Sequence, residues 1–129
     1  MAETASKRIL VIDDASLVRL YYRGALERAG FEVAEALNGL EALEKLLVFP
    51  ADLLIVDINM PKMDGLTFLR TLRRQDPAIS ATPALVISTE SGPQDIEATH
   101  AAGANFYLAK PLAQDVLVAY VAMLSGAPA

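Results

Sequence analysis

Short apolar runs and amphipathic stretches alternate along the whole chain. "RILVI" (8–12) is β-branched and followed by "SLVRLYYRGALERAG", where Leu17, Leu20, Tyr21 and Leu26 recur at roughly helical spacing. Ser16 reads as the N-cap of that helix and Gly30 as its C-terminal stop. "FEVAEA" (31–36) alternates only in part, as expected of an edge strand, and "GLEALEKLLVF" (39–49) is helical up to Pro50. The pattern then repeats, with strands at 53–56, 84–88 and 105–109 and helices at 66–75, 93–103 and 113–124. Five strands and five helices joined by connections of a few residues predict one domain over 1–129, with no linker. Apolar strands separated by helices imply a parallel sheet covered on both faces, and right-handed crossovers then give a doubly wound α/β sandwich.

The polar residues gather where the apolar runs stop. The first run ends in Asp13-Asp14, the third in Asp57, the fourth in Ser88-Thr89-Glu90 and the fifth in Lys110-Pro111. In a parallel sheet those ends share one edge, where open α/β folds build their sites. Taken singly, the aspartates read as turn caps, Ser88 as a loop hydroxyl and Lys110 as a solvated charge; their shared edge favours one site. Two carboxylates about 4 Å apart repel by roughly 4 kcal/mol at an effective dielectric near 20, so three in one pocket call for a cation. All-oxygen ligands suit Mg²⁺. A cation and a lysine around one carboxylate are also what receiving a phosphoryl group requires, with a serine hydroxyl to donate to a phosphoryl oxygen.

Composition removes other chemistries. The chain has no cysteine, which excludes disulfides and thiol catalysis, and its one histidine, His100, cannot form a His cluster. A net charge of −5 argues against a nucleic-acid surface. With 53% hydrophobic residues but no run near the roughly 20 needed to span a bilayer, a cytoplasmic protein without membrane contact is expected.

The motifs "VIDDAS", "VDINMPKMDG", "VISTES" and "LAKP", in this order at the strand ends, resemble the receiver domain of two-component response regulators. The resemblance spans nearly the whole chain and is nearest to stand-alone receivers similar to the chemotaxis response regulator. It implies a flavodoxin-like sheet of order 2-1-3-4-5 and a phosphoacceptor at Asp57. It also implies direct Mg²⁺ ligation by Asp14, Asp57 and the Asn59 backbone carbonyl, with Asp13 acting through water. Lys110 would hold the acyl phosphate, Ser88 would be the switch hydroxyl, and Thr89 stands where the family usually has a smaller residue. Tyr107 matches the aromatic switch, and the Lys110-Pro111 bond is expected to be cis.

The function so implied is a signalling switch, not an enzyme. A histidine kinase or histidine phosphotransfer protein phosphorylates Asp57, and a partner-binding face responds. That face, made of the helix at 93–103, the last strand and the last helix, carries Ile96, His100, Tyr107, Leu112, Tyr120 and Met123, and would bind a downstream protein or a second copy. His100 is read there as a surface or interface histidine. "VLVAYVAML" in the last helix carries no charge, so its core-facing side accounts for only about half of its apolar residues. A phosphorelay intermediate or phosphate sink is an alternative role on the same chemistry. A phosphatase with an aspartate nucleophile is the rival from another class, but it resembles a first-strand Asp-any-Asp pattern absent here. A flavin binder would need a phosphate loop where "DDAS" presents two carboxylates.

Overall fold

The computed structural model describes residues 6–89 and 92–127. Five strands, β1 (Arg8–Ile12), β2 (Glu32–Ala36), β3 (Leu53–Val56), β4 (Ala84–Ser88) and β5 (Phe106–Ala109), form one parallel sheet of order β2-β1-β3-β4-β5. Around it lie α1 (Ser16–Arg28), α2 (Gly39–Leu46), α3 (Gly65–Leu72), α4 (Pro77–Ser80), α5 (Pro93–Ala102) and α6 (Gln114–Ser125). The central strands β3 and β4 are buried throughout, as apolar strands covered on both faces must be. One core packs Leu10, Ile12, Leu54, Val56 and Val86 against Phe68, Leu69 and Leu72 of α3. On the other side, Ile9, Val11, Ile55 and Ile87 meet Tyr22 and Leu26 of α1 and Leu117 and Val121 of α6.

The sheet and its order match expectation, but the helices differ in detail. The described residues form six, because Asp76-Pro77 starts a one-turn helix that periodicity is too coarse to register; proline at the first helical position is the signal that marks it. The helices expected at the output face are therefore numbered α5 and α6. The N-cap of α1 is Ala15, not Ser16: Asp13 Oδ1 accepts from the Ala15 N–H at 2.9 Å, and this tight turn starts the helix one residue early. Helix α2 stops at Leu46, short of Phe49, because the N–H groups of Val48 and Phe49 both close on the Lys45 carbonyl. That turn carries the chain toward β3 as Pro50, which disfavours helical backbone before it, approaches. Helix α3 likewise ends at Leu72, and Gln75 bonds back to it in a closing turn.

The apolar stripe expected on α1 is only partly right. Leu26 is buried, but Leu17 is 78% and Leu20 65% exposed, and Tyr21 is exposed as well. The core side of α1 is Val18, Tyr22, Ala25 and Leu26, set by the rotation that lays Tyr22 and Ala25 against the sheet.

Candidate functional site

Register brings the site residues together. Ile12 pairs with Val56 across β1 and β3, so Asp13 and Asp57, each one residue farther on, emerge side by side at the sheet's C-terminal edge. Adjacent strands lie roughly 4.8 Å apart, which sets the scale of the pocket. The carboxylates of Asp13, Asp14 and Asp57 have oxygens all within 4.8 Å of one another. Asp13 is buried, Asp57 half-buried and Asp14 exposed, so the cluster runs from the sheet's rim out to solvent.

Lys110 follows β5, which pairs Ala109 with Ser88 of β4. Its side chain crosses the end of β4, placing Nζ 3.4 Å from Asp57 Oδ1 and 3.3 Å from Asp13 Oδ2. The pairing with Asp57 was expected; the second, with Asp13, depends on the lysine's reach and has no sequence signal. The Lys110-Pro111 bond is cis.

The loop between β3 and α3 folds tightly over the site. The Met63 N–H bonds the Pro61 carbonyl, the Gly65 N–H bonds the Ile58 carbonyl, and Lys62 adopts a left-handed φ of 68°. Gly65 lies against the Asp57 backbone, where an added Cβ would come within 2.9 Å of Ile58 Cα. Asp64 caps α3 by accepting from the Thr67 N–H.

Burial, then the Asp13 charge, pushes the Asp57 carboxyl from its ordinary 3.8 up to about 6, despite the opposing pull of Lys110. A carboxylate disfavoured by desolvation and a like charge is stabilised by any added cation. The donor set is all oxygen and meets on one point, so Asp13, Asp14 and Asp57 fit a hard divalent ion. The Tyr22 hydroxyl, close enough to feel Asp13 and Asp57, has its pKa raised, chiefly by burial and then by those charges.

Of the other expected residues, Ser88 is buried at the end of β4, while Thr89 and Asn59 are exposed beside the site. Glu90, at the end of the same motif, lies outside the described residues. Tyr107 is half-buried against the α3 side of the sheet, with a buried hydroxyl that finds no hydrogen-bond partner among the described residues. Ile96 and Tyr120 are half-buried, His100 is exposed with Nδ1 3.1 Å from the Ala104 carbonyl, and Met123 is 65% exposed. Leu112 lines a groove beside α1 together with Leu17, Val18, Tyr21, Tyr22 and Lys110. Sequence reasoning missed that groove because helical spacing marked Leu17 and Tyr21 as apolar positions of one helix without showing that they face solvent beside Leu112.

Residues 9–122 match the family model for the response regulator receiver domain. The chain belongs to the response regulator receiver family. It is 40% identical over 119 residues to the transcriptional regulatory protein PrrA of Mycobacterium tuberculosis, covering 92% of this chain and 50% of that protein. The chain thus spans about half the length of that relative. Its fold is similar to that of the Vibrio cholerae chemotaxis protein CheY4, with a TM-score of 0.87 and 33% identity over 93% of this chain and 99% of that one. A putative response regulator from Chloroflexus aurantiacus gives a TM-score of 0.88 and 32% identity, covering 95% of this chain and 99% of that one. As a receiver domain, this chain is of the two-component signalling type. Among the described residues, no helix is long and apolar enough to cross a membrane.

Proposed function

We propose that Asp57 accepts a phosphoryl group from a phosphohistidine on a histidine kinase or phosphotransfer protein, and that a partner-binding face responds. The observation that carries this reading is the convergence of three carboxylates with Lys110 Nζ bridging two of them. In the transfer, an Asp57 oxygen forms a bond to phosphorus while the donor's phosphorus–nitrogen bond breaks. The electron pair stays on the imidazole nitrogen, which takes its proton from solvent. Lys110 would hold the charge on the transferring group, and Ser88, buried at the end of β4, would donate its hydroxyl to a phosphoryl oxygen. Asp13, Asp14, Asp57 and the Asn59 carbonyl would hold Mg²⁺, which supplies charge neutralisation of the phosphoryl oxygens when bound. The product is one acyl phosphate per chain, a modification rather than turnover.

The donor must bring its phosphohistidine over this edge of the sheet. The exposed Leu17 and Tyr21, with Leu112, offer it an apolar rest bordering Lys110. For output, α6, which carries no charge after Asp115, leaves Val116, Ala119 and Met123 exposed at helical spacing, with Tyr120 half-buried beside them and Phe106 exposed on the outermost strand. With His100 and Ile96 on α5, these residues support a face for a downstream protein or a second copy.

Acetyl phosphate with Mg²⁺ tests the acceptor. Wild type should gain the mass of one phosphoryl group, Asp57→Asn should not, and Lys110→Ala should bind Mg²⁺ yet switch poorly. Wild-type phosphorylation of Asp57→Asn would remove the reading. Tyr120→Glu and Met123→Glu should abolish association at the output face while leaving Asp57 phosphorylation nearly unchanged; unimpaired binding by both would move that face elsewhere.

A further inference from the structure

Asp13 is held by more than its carboxylate. It stands where β1 ends, its backbone N–H bonded to the Ala36 carbonyl at 3.1 Å and its Oδ1 accepting from the Ala15 N–H. Its own carbonyl accepts from Arg19 Nη1 at 2.7 Å. Arg19 lies one helical turn into α1 with its side chain only 11% exposed, and its Nε donates to Glu35 Oε1 of β2 at 2.8 Å. The second Glu35 oxygen is taken by Arg23 at 2.7 Å, and Arg23 in turn donates to Glu27 at 2.9 Å. Arg23, and with it Arg19, keeps the Glu35 carboxyl below its ordinary range despite partial burial.

We infer that Arg19 is a positioning residue for the cation site, fixing the Asp13 peptide, and through it the Asp13 carboxylate, against the Glu35 anchor on β2. This rests on the reading of Asp13, Asp14 and Asp57 as cation ligands. Two directions of bonding from one planar group are needed, Nε toward Glu35 and Nη1 toward the Asp13 carbonyl. A guanidinium supplies both at once, and an ammonium on a flexible stem does not. Freed from Arg19, the turn from Asp13 to Ala15 would lose the bond that orients its first peptide, and the Asp13 carboxylate would sample positions away from its two neighbours. Residues that orient metal ligands without touching the metal commonly change affinity by about 10–100-fold.

The sign of the effect separates positioning from charge. Arg19 is a cation bonded to the Asp13 backbone, so as a charge alone it opposes an added cation, and its removal would tighten Mg²⁺ binding. As a positioning group its removal weakens binding. Titration calorimetry of the whole chain with MgCl₂ reads this directly on wild type, Arg19→Met and Arg19→Lys, with circular dichroism verifying that each is folded at the assay temperature. Both variants should bind Mg²⁺ about tenfold more weakly, and the Ala15 amide resonance should shift in both before any metal is added. Arg19→Lys keeps the charge and is the milder change, so it serves if Arg19→Met does not fold. Unchanged or tighter binding in Arg19→Met, or wild-type affinity in Arg19→Lys, overturns the inference. Wild type failing to bind Mg²⁺ at all would overturn the cation-site reading itself, a separate and distinguishable result.

Discussion

Replacing Asp57 by asparagine should stabilise the metal-free protein, by an amount that grows as pH rises from the ordinary carboxyl pKa of 3.8 to about 6. The Asp57 carboxyl titrates near 6 in the fold against 3.8 ordinarily, because burial and the neighbouring Asp13 charge disfavour its ionised form. An acid whose pKa is raised by folding contributes stability that is fully present below about 3.8 and lost as pH rises through about 6. The folded chain holds the proton that the unfolded chain has already released, so wild-type stability falls across that window. A rise of about two in pKa, at about 1.4 kcal/mol each, corresponds to about 3 kcal/mol by pH 8. Asparagine has the shape of the protonated acid and does not titrate. The gain in Asp57→Asn should therefore be small, about 0.5 kcal/mol, at pH 4, half-developed near pH 5, and close to its full value of about 3 kcal/mol from pH 6 to pH 8. For a chain of this size that is roughly 10 °C in melting temperature.

The assay is thermal unfolding by circular dichroism in EDTA from pH 4 to pH 8, repeated with Mg²⁺. A ligand at about a hundred times its Kd stabilises the folded state by about 2.7 kcal/mol, so Mg²⁺ should close most of the gap at pH 8 by acting on wild type. A difference that is flat between pH 5 and pH 8, or an asparagine variant less stable than wild type in EDTA, would refute the reasoning.

Arg73→Met should cost about 2–4 kcal/mol, read from the urea midpoint. The Arg73 guanidinium donates to the carbonyls of Ser80, Thr82 and Gly103 and to Asn105 Oδ1, and its removal strands partly buried acceptors. Gly65→Ala should lower both stability and the rate of phosphorylation by acetyl phosphate, since its Cβ would strike the Asp57 carbonyl. A variant that melts and phosphorylates like wild type would show that the loop has slack there. Tyr107→Phe should be neutral or stabilising by up to about 1 kcal/mol in chemical denaturation, because the deleted hydroxyl is buried without a partner among the described residues. A loss above that would mean the hydroxyl is satisfied.

Strands and site were legible from sequence for one reason. An apolar run that stops at a carboxylate or lysine marks both a buried strand and the rim where it ends, and parallel pairing aligns those rims. The α1 face was misread because leucines outweigh tyrosine and alanine in any apolar pattern. Here Tyr22 and Ala25 are buried while Leu17 and Leu20 face solvent. An exposed leucine has no folding rationale to be read from periodicity. Helix α4 was missed because one turn is shorter than any periodic signal, although Asp76-Pro77 announces it. The bonds from Arg19 to the Asp13 carbonyl and from Lys110 to Asp13 were out of reach for a different reason. Each joins an atom whose position depends on the finished register, one a backbone oxygen and the other a carboxylate 97 residues away.

The two exposed apolar faces differ in how they reach the site. The α1 groove shares Lys110 with it, so on the proposed function a donor resting there would already be at the acceptor. The α6 row ending at Met123 has no residue in the acidic pocket, and on the proposed function it must be informed through β5. Tyr107 is the β5 side chain suited to this. Its ring packs among apolar residues of the sheet's α3 side, which favours the inward position, while its stranded hydroxyl costs about 1–3 kcal/mol there. Turned outward, the ring would give back apolar burial of similar size and recover a hydrogen bond to water. Two opposed terms of a few kcal/mol leave a small difference between the positions. On the proposed function, a single new bond from Ser88 at the end of β4 to a phosphoryl group on Asp57 would be large enough to tip it.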